Sequence, residues 1–551
     1  MQSPHNIQNS DVPLTVVVAQ KNSVKVHIEQ ALNDPSIFVT SVAGHINVLG
    51  FSTNYPWCHT KLKNLINSKL FYYKDPKAKT SFQNLESIIA KKRPIKLVLA
   101  VDPDEQGRLI GTHIYDYLKT RCNIVSLKAV DLESLTKKDI VASFKKQRDT
   151  SLSQGHPGQL RARVDLWYGA LLSRISTLDL KRRTSFWRTY NTGRVQSPAL
   201  QLINQRTKQI QNFKSQCYNK LQTKKGLLPS ICIVQKIDPT VATPTSVDVK
   251  YCSMEEYIVQ PKPGLNTDDL LILLSKRYAI FKNLGTKVTS LLGEMYLGGL
   301  ISYPRTENRA FNNYQQVLKQ VSKIYENHFN VKAVHPLLQK QDLLTDHAPI
   351  VPLKDIESVV QGPKRKVYVT LFDHLKKVLS GPNRYKRYHY EIRRNEIIKK
   401  ISFLKIVEKN FEDDLQGHAQ LPQGSFSLDT QTVEVRTKAP SYYTAATLLK
   451  KMAILKIGTK STRTNIIENL SKNNYVEALK NGLIIKTKGV MICGYWNHFF
   501  KEILSSTFTR DLESCFENIQ TMEKLKMEQE KHIRILQNLI SCVFRDPLPI
   551  R

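Results

Sequence analysis

Two uninterrupted apolar runs constrain this chain more than any other feature: L-T-V-V-V-A from Leu14 to Ala19, and I-K-L-V-L-A-V from Ile95 to Val101. A run rich in Val, Ile and Leu without polar alternation has both faces buried, as in a parallel strand covered by helices. Each run ends in a polar turn. The first turn is Gln20-Lys21-Asn22-Ser23, and Val24, Val26, Ile28 and Leu32 then recur at helical spacing behind Ser23 as a plausible N-cap. The second is Asp102-Pro103-Asp104-Glu105-Gln106-Gly107-Arg108, followed by Leu109, Ile110, Ile114, Tyr115 and Leu118. Strand, turn and helix, repeated, predict an α/β domain whose ligands sit outside the carboxyl ends of its strands. Asp102 and Asp104 read either as a hard-oxygen pair suited to Mg²⁺ on a phosphate or as a capped helix start.

Length and charge narrow the class. At 551 residues the chain exceeds one core and predicts roughly three to five domains. Hydrophobic residues at 41% exclude wholesale disorder. Lys and Arg number 82 against 47 Asp and Glu, and the excess of +35 runs along the chain, which points to a polyanion, nucleic acid before others. The 8 cysteines show no C-x-x-C spacing, so a zinc ribbon is not expected and reduced thiols are. No apolar run reaches the roughly 18 residues of a membrane span, and the first ten residues lack the pattern of a secretory signal.

In chain order, Thr40 to Gly50 contains His45, which reads equally as a DNA contact or a packed ring. A helical pattern starts near Gln159, and Arg161, Asp165 and Gly169 share one face, where the first two also read as an intrahelical ion pair. From Leu180 to Arg194, the cations Lys181, Arg182, Arg183, Arg188 and Arg194 interleave with Phe186, Trp187 and Tyr190. Cations for phosphates and aromatic faces for bases are the ingredients of a single-strand groove; the plain alternative packs the aromatics inward. Short β-like runs with Pro-rich turns occupy about 215 to 285, and strand-like runs return from Lys399 to Val435. Between them lies G-G-L-I-S-Y-P-R-T-E-N, Gly298 to Asn308. A phenol becomes a useful nucleophile where a fixed cation stabilises the phosphate it attacks, and Arg305 stands two residues past Tyr303. The plain reading is a buried strand ending in a Pro turn. Ile457 to Arg463 reads as a turn and helix start facing an anion, and one last long helix is expected over about Asp511 to Leu539, docked on the body or presented to a partner.

Taken together and in this order, these segments resemble the type IA DNA topoisomerases, most closely the topoisomerase III branch. G-L-I-S-Y-P-R-T-E-N is similar to that family's active-tyrosine segment, and N-T-G-R-V-Q-S-P-A-L to its G-R-V-Q-[ST]-P-x-L. R-A-R-V-D-L-W-Y-G fits its R-x-x-x-D-x-x-x-G helix, T-D-H-A-P-I-V-P its D-H-x-x-I-x-P, and G-T-K-S-T-R-T-N-I-I-E its threonine-rich helix start. V-V-V-A-Q-K-N-S-V and A-V-D-P-D-E-Q-G-R-L-I-G resemble the two strands of its Toprim domain.

The resemblance implies a multidomain α/β + α fold: a Toprim α/β domain, helical domains and a β-rich arch forming a toroid. Its expected parts are Toprim 1–152, a helical single-strand-binding domain 153–213, arch 214–281, active-tyrosine domain 282–397, arch again 398–440, and the second helical part 441–551. It implies that Tyr303 attacks single-stranded DNA to give a 5′-phosphotyrosyl link, with strand passage and resealing and no ATP. Arg305, Lys21 and His347 would serve catalysis, and Asp102 and Asp104 would hold Mg²⁺. Arg161, Asp165, Asn191, Arg194, Gln196, Ser197, Lys181, Arg183 and Trp187 would bind DNA. A helicase partner is an expectation, as is a nuclear location in a eukaryote or a cytoplasmic, nucleoid one otherwise. The chain departs from the family where Gln20, Gln106 and Arg108 stand in place of carboxylates, which implies weakened Mg²⁺ binding. The alternative implied function is a catalytically impaired DNA-binding paralogue.

Overall fold

The computed structural model describes residues 12–545 except 53–61, 103, 133, 151–155, 185–187, 226–227, 229–230, 238–244, 283–285, 312–320, 322–346, 356–360, 395–396, 414, 419–420, 460–461, 480–481 and 520. The two apolar runs form neighbouring parallel strands, Leu14–Ala19 and Ile95–Ala100, paired from Leu14↔Ile95 to Ala19↔Ala100. Strand Ile37–Ser41 flanks the first, strand Ile124–Ala129 the second, and the short Arg148–Asp149 closes the sheet antiparallel to the last. Alternate side chains enter separate cores: Val16, Val18, Leu97 and Leu99 on one face, Val17, Ala19, Val98 and Ala100 on the other. Burial on both faces is why the sequence shows no alternation. The chain leaves Leu14–Ala19 toward one edge and returns to its other side, so the strand order reverses between the two central strands, where α/β ligands bind. The first helix, Asn22–Leu32, starts one residue before Ser23, with Lys21 as its N-cap.

A second sheet is wholly antiparallel and six-stranded. Its order is Ile397–Glu408, Asn383–Arg394, Ser246–Val259, Ser425–Arg436, Cys217–Thr223, Cys232–Ile237. Its apolar face buries Leu221, Val247, Val249, Tyr388, Tyr390 and Ile392. Strand Asn383–Arg394 belongs to this sheet, so the β-rich part begins before residue 398.

The rest is helical. His156–Thr184 runs through the middle, with Leu160, Val164, Trp167, Tyr168, Leu171, Leu172 and Ile175 buried. The expected last helix is two, Ser506–Glu517 and Met522–Arg545. Asn518 and Ile519 close the first against the carbonyls of Cys515 and Phe516, and the Thr521 hydroxyl receives the Lys524 amide to start the next. Met522–Arg545 packs on His156–Thr184. Among the described residues no helix is long and apolar enough to cross a membrane, and the seven described cysteines are free thiols.

Two buried histidines give the fold a pH dependence. Burial pushes His113 and His532 from 6.5 down to about 4. His113 packs on Tyr72 at 4.4 Å between centroids, and His532 Nδ1 lies 3.2 Å from the Tyr168 hydroxyl. Between these values the unfolded chain takes up protons the folded chain refuses, so stability falls as pH drops through that window. Calorimetric melting at pH 5 should lose on the order of 2 kcal/mol per histidine relative to pH 7. His113→Phe should show a shallower pH slope than wild type, and equal slopes would remove His113 from the account.

Candidate active site at the strand ends

The parallel register sets the site. Because Ala19 pairs with Ala100, the residues after each strand emerge side by side, and the Gln20 amide donates to the Ala100 carbonyl at 3.2 Å. The Gln20 side chain then meets Asp102 at two points. Its Nε2 donates to Asp102 Oδ2 at 3.1 Å, and its Oε1 accepts from the Asp102 backbone amide at 2.7 Å. Lys21 Nζ lies 3.8 Å from the same Oδ2. Asp104 is the N-cap of helix Glu105–Leu118, its Oδ1 accepting from the Gly107 amide at 2.8 Å. Gly107 has no substitute there, since a Cβ would lie 1.8 Å from the Asp102 carbonyl oxygen. Glu105 is ion-paired with Arg161, and Gln106 Oε1 lies 3.0 Å from His45 Nε2, so His45 holds the turn.

Tyr303 approaches from far along the chain. Helix Thr286–Leu297 ends with the amides of Gly299 and Leu300 bonded back to Tyr296 and Met295. Gly299 takes φ +64°, the left-handed conformation such an ending needs. Ile301 then bridges Pro352, and Ser302 bonds to Pro349 and Val351, so the expected strand is one bridge long. Thr267 Oγ1 donates toward the carbonyls of Pro304 (2.7 Å) and Thr306 (3.0 Å), fixing the chain beyond the tyrosine. The Thr267 helix is itself held by a buried pair, Asp268 Oδ2 to Arg463 Nη1 at 2.5 Å.

The Tyr303 ring sits between Tyr296, 5.3 Å away, and His347, 4.3 Å away. It is 3% exposed, and its hydroxyl makes no hydrogen bond of ordinary length among the described residues. The hydroxyl nonetheless faces the acidic turn closely enough that it and Asp102 perturb each other's ionisation. Burial, then Asp102 and Asp104, push the phenol far above its ordinary value, and Arg305 alone opposes them. Burial also raises Asp102, against the pull of Lys21 and Arg305. At rest Tyr303 is thus a neutral phenol beside Asp102. Arg305 is exposed and forms no salt bridge among the described residues, which leaves its guanidinium for an incoming anion.

The residues expected to bind DNA divide into two groups. Arg161 does not pair with Asp165. It bridges Glu105 and Glu513, while Asp165 takes Arg194 at 2.5 Å, and Arg194 Nη1 reaches Glu513 Oε1 at 2.6 Å. Arg194 is 4% exposed; burial opposes its charge, and Asp165 and Glu513 outweigh that. Arg183 is also turned inward, 6% exposed, with Nε 2.7 Å from the fully buried Asp179 and its guanidinium over Phe499. These arginines join the helical body through buried carboxylates, which occupy the guanidinium nitrogens that face them. Lys181 and Arg188 are exposed. Asn191, Gln196 and Ser197 cluster at the start of helix Gln196–Gln211, with Gln196 Nε2 donating to the Asn191 carbonyl at 3.2 Å and Asn191 Nδ2 to Asn473 Oδ1 at 2.9 Å. Trp187 and Phe186 lie outside the described residues. Glu513, the joint of the network, sits in a helix with no motif around it, and nothing in the sequence singles it out.

The acidic turn does not fit a divalent cation. Mg²⁺ demands near-octahedral oxygen ligands at about 2.0–2.1 Å. Asp102 Oδ2, Asp104 Oδ1 and Glu105 Oε2 each already face a protein donor. Among the described residues no three His, Cys, Asp or Glu side chains gather as a metal site.

Known proteins share this sequence pattern and fold. A family model described as DNA topoisomerase matches residues 152–529, and a Toprim domain model matches 15–132. DNA topoisomerase 1 of Thermoplasma acidophilum is 26% identical over 479 residues, 82% of this chain and 60% of that protein. DNA topoisomerase 3 of Staphylococcus haemolyticus is 24% identical over 551 aligned residues, 87% of this chain and 75% of that protein. The full-length topoisomerase I structure from Thermotoga maritima superposes with a TM-score of 0.73 at 18% identity, covering 97% of this chain and 91% of that one. The chain thus has the toroid-type fold of such enzymes, though it spans only 60% of the archaeal relative's length. With its Toprim sheet, its buried tyrosine and both family models in place, the chain belongs to the type IA DNA topoisomerases.

Proposed function

We propose that this chain cleaves one strand of DNA through Tyr303, passes another segment through the gap and reseals it without ATP. The observation that carries the reading is the convergence on Asp102 of Lys21, Tyr303 and Arg305, which come from distant segments of the chain. Tyr303 Oη bonds to phosphorus while the bond to O3′ breaks, its electron pair staying on oxygen. The phenol gives up its proton and O3′ takes one up, so atoms and charge balance, and resealing is the reverse. Arg305 and Lys21 supply fixed positive charge for the phosphorane-like oxygens. His347 packs on the phenol ring and restricts its approach. Because Tyr303 is buried, a strand reaches it only when the tyrosine segment parts from the strand ends.

The division into Toprim 1–152, helical parts 153–213 and 441–551, arch and tyrosine domain is part of the same proposal, with the second arch segment starting at Asn383 rather than 398. Gln20 and Gln106 favour the second reading, a DNA-binding paralogue without turnover. Tyr303 and Arg305 favour the enzyme, because a chain selected only for binding has no use for a phenol sealed beside an acidic turn.

Two outcomes are expected. Denaturant quenching after incubation with single-stranded DNA should trap a covalent adduct with wild type and none with Tyr303→Phe; equal yields, or none from either, would reject the cleavage reading. Affinity for single-stranded DNA should fall with salt at a log–log slope of roughly −0.7 per phosphate neutralised. Lys181→Ala and Arg188→Ala should each flatten that slope. Arg183→Ala should leave it alone and instead lower stability by about 1–3 kcal/mol, because Asp179 keeps Arg182 and the Tyr495 hydroxyl but loses one buried charged donor. A slope change with no loss of stability in Arg183→Ala would put that residue back in the groove.

A further inference from the structure

We infer that the Toprim turn of this chain works without a divalent cation, because Gln20 and Lys21 together replace one. Toprim domains generally bind Mg²⁺, and the residues present here do not fit one. The inference concerns the same site as the proposed strand cleavage and rests on that reading for its relevance to turnover, but its first test does not.

The geometry is specific to an amide. Gln20 donates to Asp102 Oδ2 at 3.1 Å and accepts the Asp102 backbone amide at 2.7 Å, so both ends of its side chain are used. A glutamate here would keep the second bond and lose the first, setting carboxylate against carboxylate in a buried place. Such a pair needs a proton or a cation between its oxygens. Gln20 removes that need by supplying N–H where the cation would stand. To offer Oε1 to a metal, Gln20 would have to abandon the amide of Asp102, a buried donor that costs free energy when left bare.

One oxygen of each neighbouring carboxylate is committed in the same way. Asp104 Oδ1 caps its helix through the Gly107 amide, and Glu105 is drawn to Arg161. Positive charge is not missing. Lys21 Nζ stands 3.8 Å from Asp102 Oδ2 with its side chain 38% exposed, so the ammonium touches the carboxylate and still reaches solvent. Lys21 and Arg305 both act on Asp102, and Arg305 also acts on the Tyr303 hydroxyl, giving a phosphate two fixed cations in place of one exchangeable ion.

The test uses the full chain and Mn²⁺ alone as the probe, read by electron paramagnetic resonance. Wild type should bind no stoichiometric Mn²⁺ up to about millimolar concentration. Gln20→Glu should gain one site at least tenfold tighter and should melt higher when Mn²⁺ is added, a shift wild type lacks. One equivalent bound by wild type and lost in Asp102→Asn would overturn the inference, and so would a Gln20→Glu protein that folds and binds no better than wild type. Should Gln20→Glu fail to fold without metal, its recovery on refolding with Mn²⁺ supports the inference, and failure with Mn²⁺ present counts against it. As a second arm, adduct formation and resealing by wild type should change less than twofold between Mg²⁺ and EDTA; a loss of tenfold or more in EDTA would refute it. If no adduct forms in either condition, the cleavage reading falls while the Mn²⁺ arm still decides the state of the turn.

Discussion

The register between two parallel strands governs everything at the site. Ala19 opposite Ala100 fixes Gln20 and Asp102 as neighbours, because each follows its strand by a step or two. A slip of one residue would turn Val17 and Val98 to the other face and carry both core clusters with them. The register is therefore held by the whole sheet, and the polar groups at its end inherit that rigidity. Gly107 adds a further constraint, since the helix bearing Asp104 approaches the Asp102 carbonyl too closely for any side chain.

Away from the sheet, the helical body is joined by buried ions rather than by apolar contact alone. Arg161, Glu105, Glu513, Arg194 and Asp165 form one connected chain from the Toprim turn through helix His156–Thr184 to helix Ser506–Glu517. Such pairs contribute little net stability but are costly to break singly, so they favour one mutual arrangement over many. In the proposed reaction a cut strand is held in register while another passes, and that would require each part to return to the same place. The Asp268–Arg463 pair plays the corresponding part beside the tyrosine, linking the helix that pins Pro304 and Thr306 to helix Arg463–Lys472.

Much of this was legible in the sequence. The two apolar runs announced a parallel sheet because its strands are buried on both faces. The turns after them and the Tyr303–Arg305 motif were legible as segments, and the fold brings Tyr303 up to Asp102. What the sequence hid was the use of charge. Spacing put Arg161 and Asp165 on one helix face, and spacing cannot see Glu105 or Glu513 arriving from elsewhere to compete for them. Arg183 and Arg194 read as groove cations in a basic run, while the fold spends them on Asp179, Asp165 and Glu513. Only tertiary contacts reveal which cations remain for a ligand. The single expected final helix failed for a local reason, the Asn518 to Thr521 break, whose caps are weak signals in a charged segment.

The exchange of acid for amide at position 20 also bears on how the phenol is kept. Two carboxylates at the 3.1 Å separation of Gln20 and Asp102 would repel by roughly 5 kcal/mol at an effective dielectric of about 20. A metal-binding turn tolerates that repulsion only when loaded, and it would press a further negative charge on the adjacent phenol when empty. With an amide the turn carries less negative charge in every state, and Asp102 keeps Lys21 as a permanent partner. Tyr303 is then surrounded by Asp102, Arg305 and two aromatic rings, none of which is an ion from solution. Its high proton affinity arises from burial first, so in the proposed reaction parting the tyrosine segment from the strand ends would lower it as Arg305 meets phosphate. On that proposal access and activation are one event, because the motion that would admit a strand also removes the burial that keeps the phenol protonated.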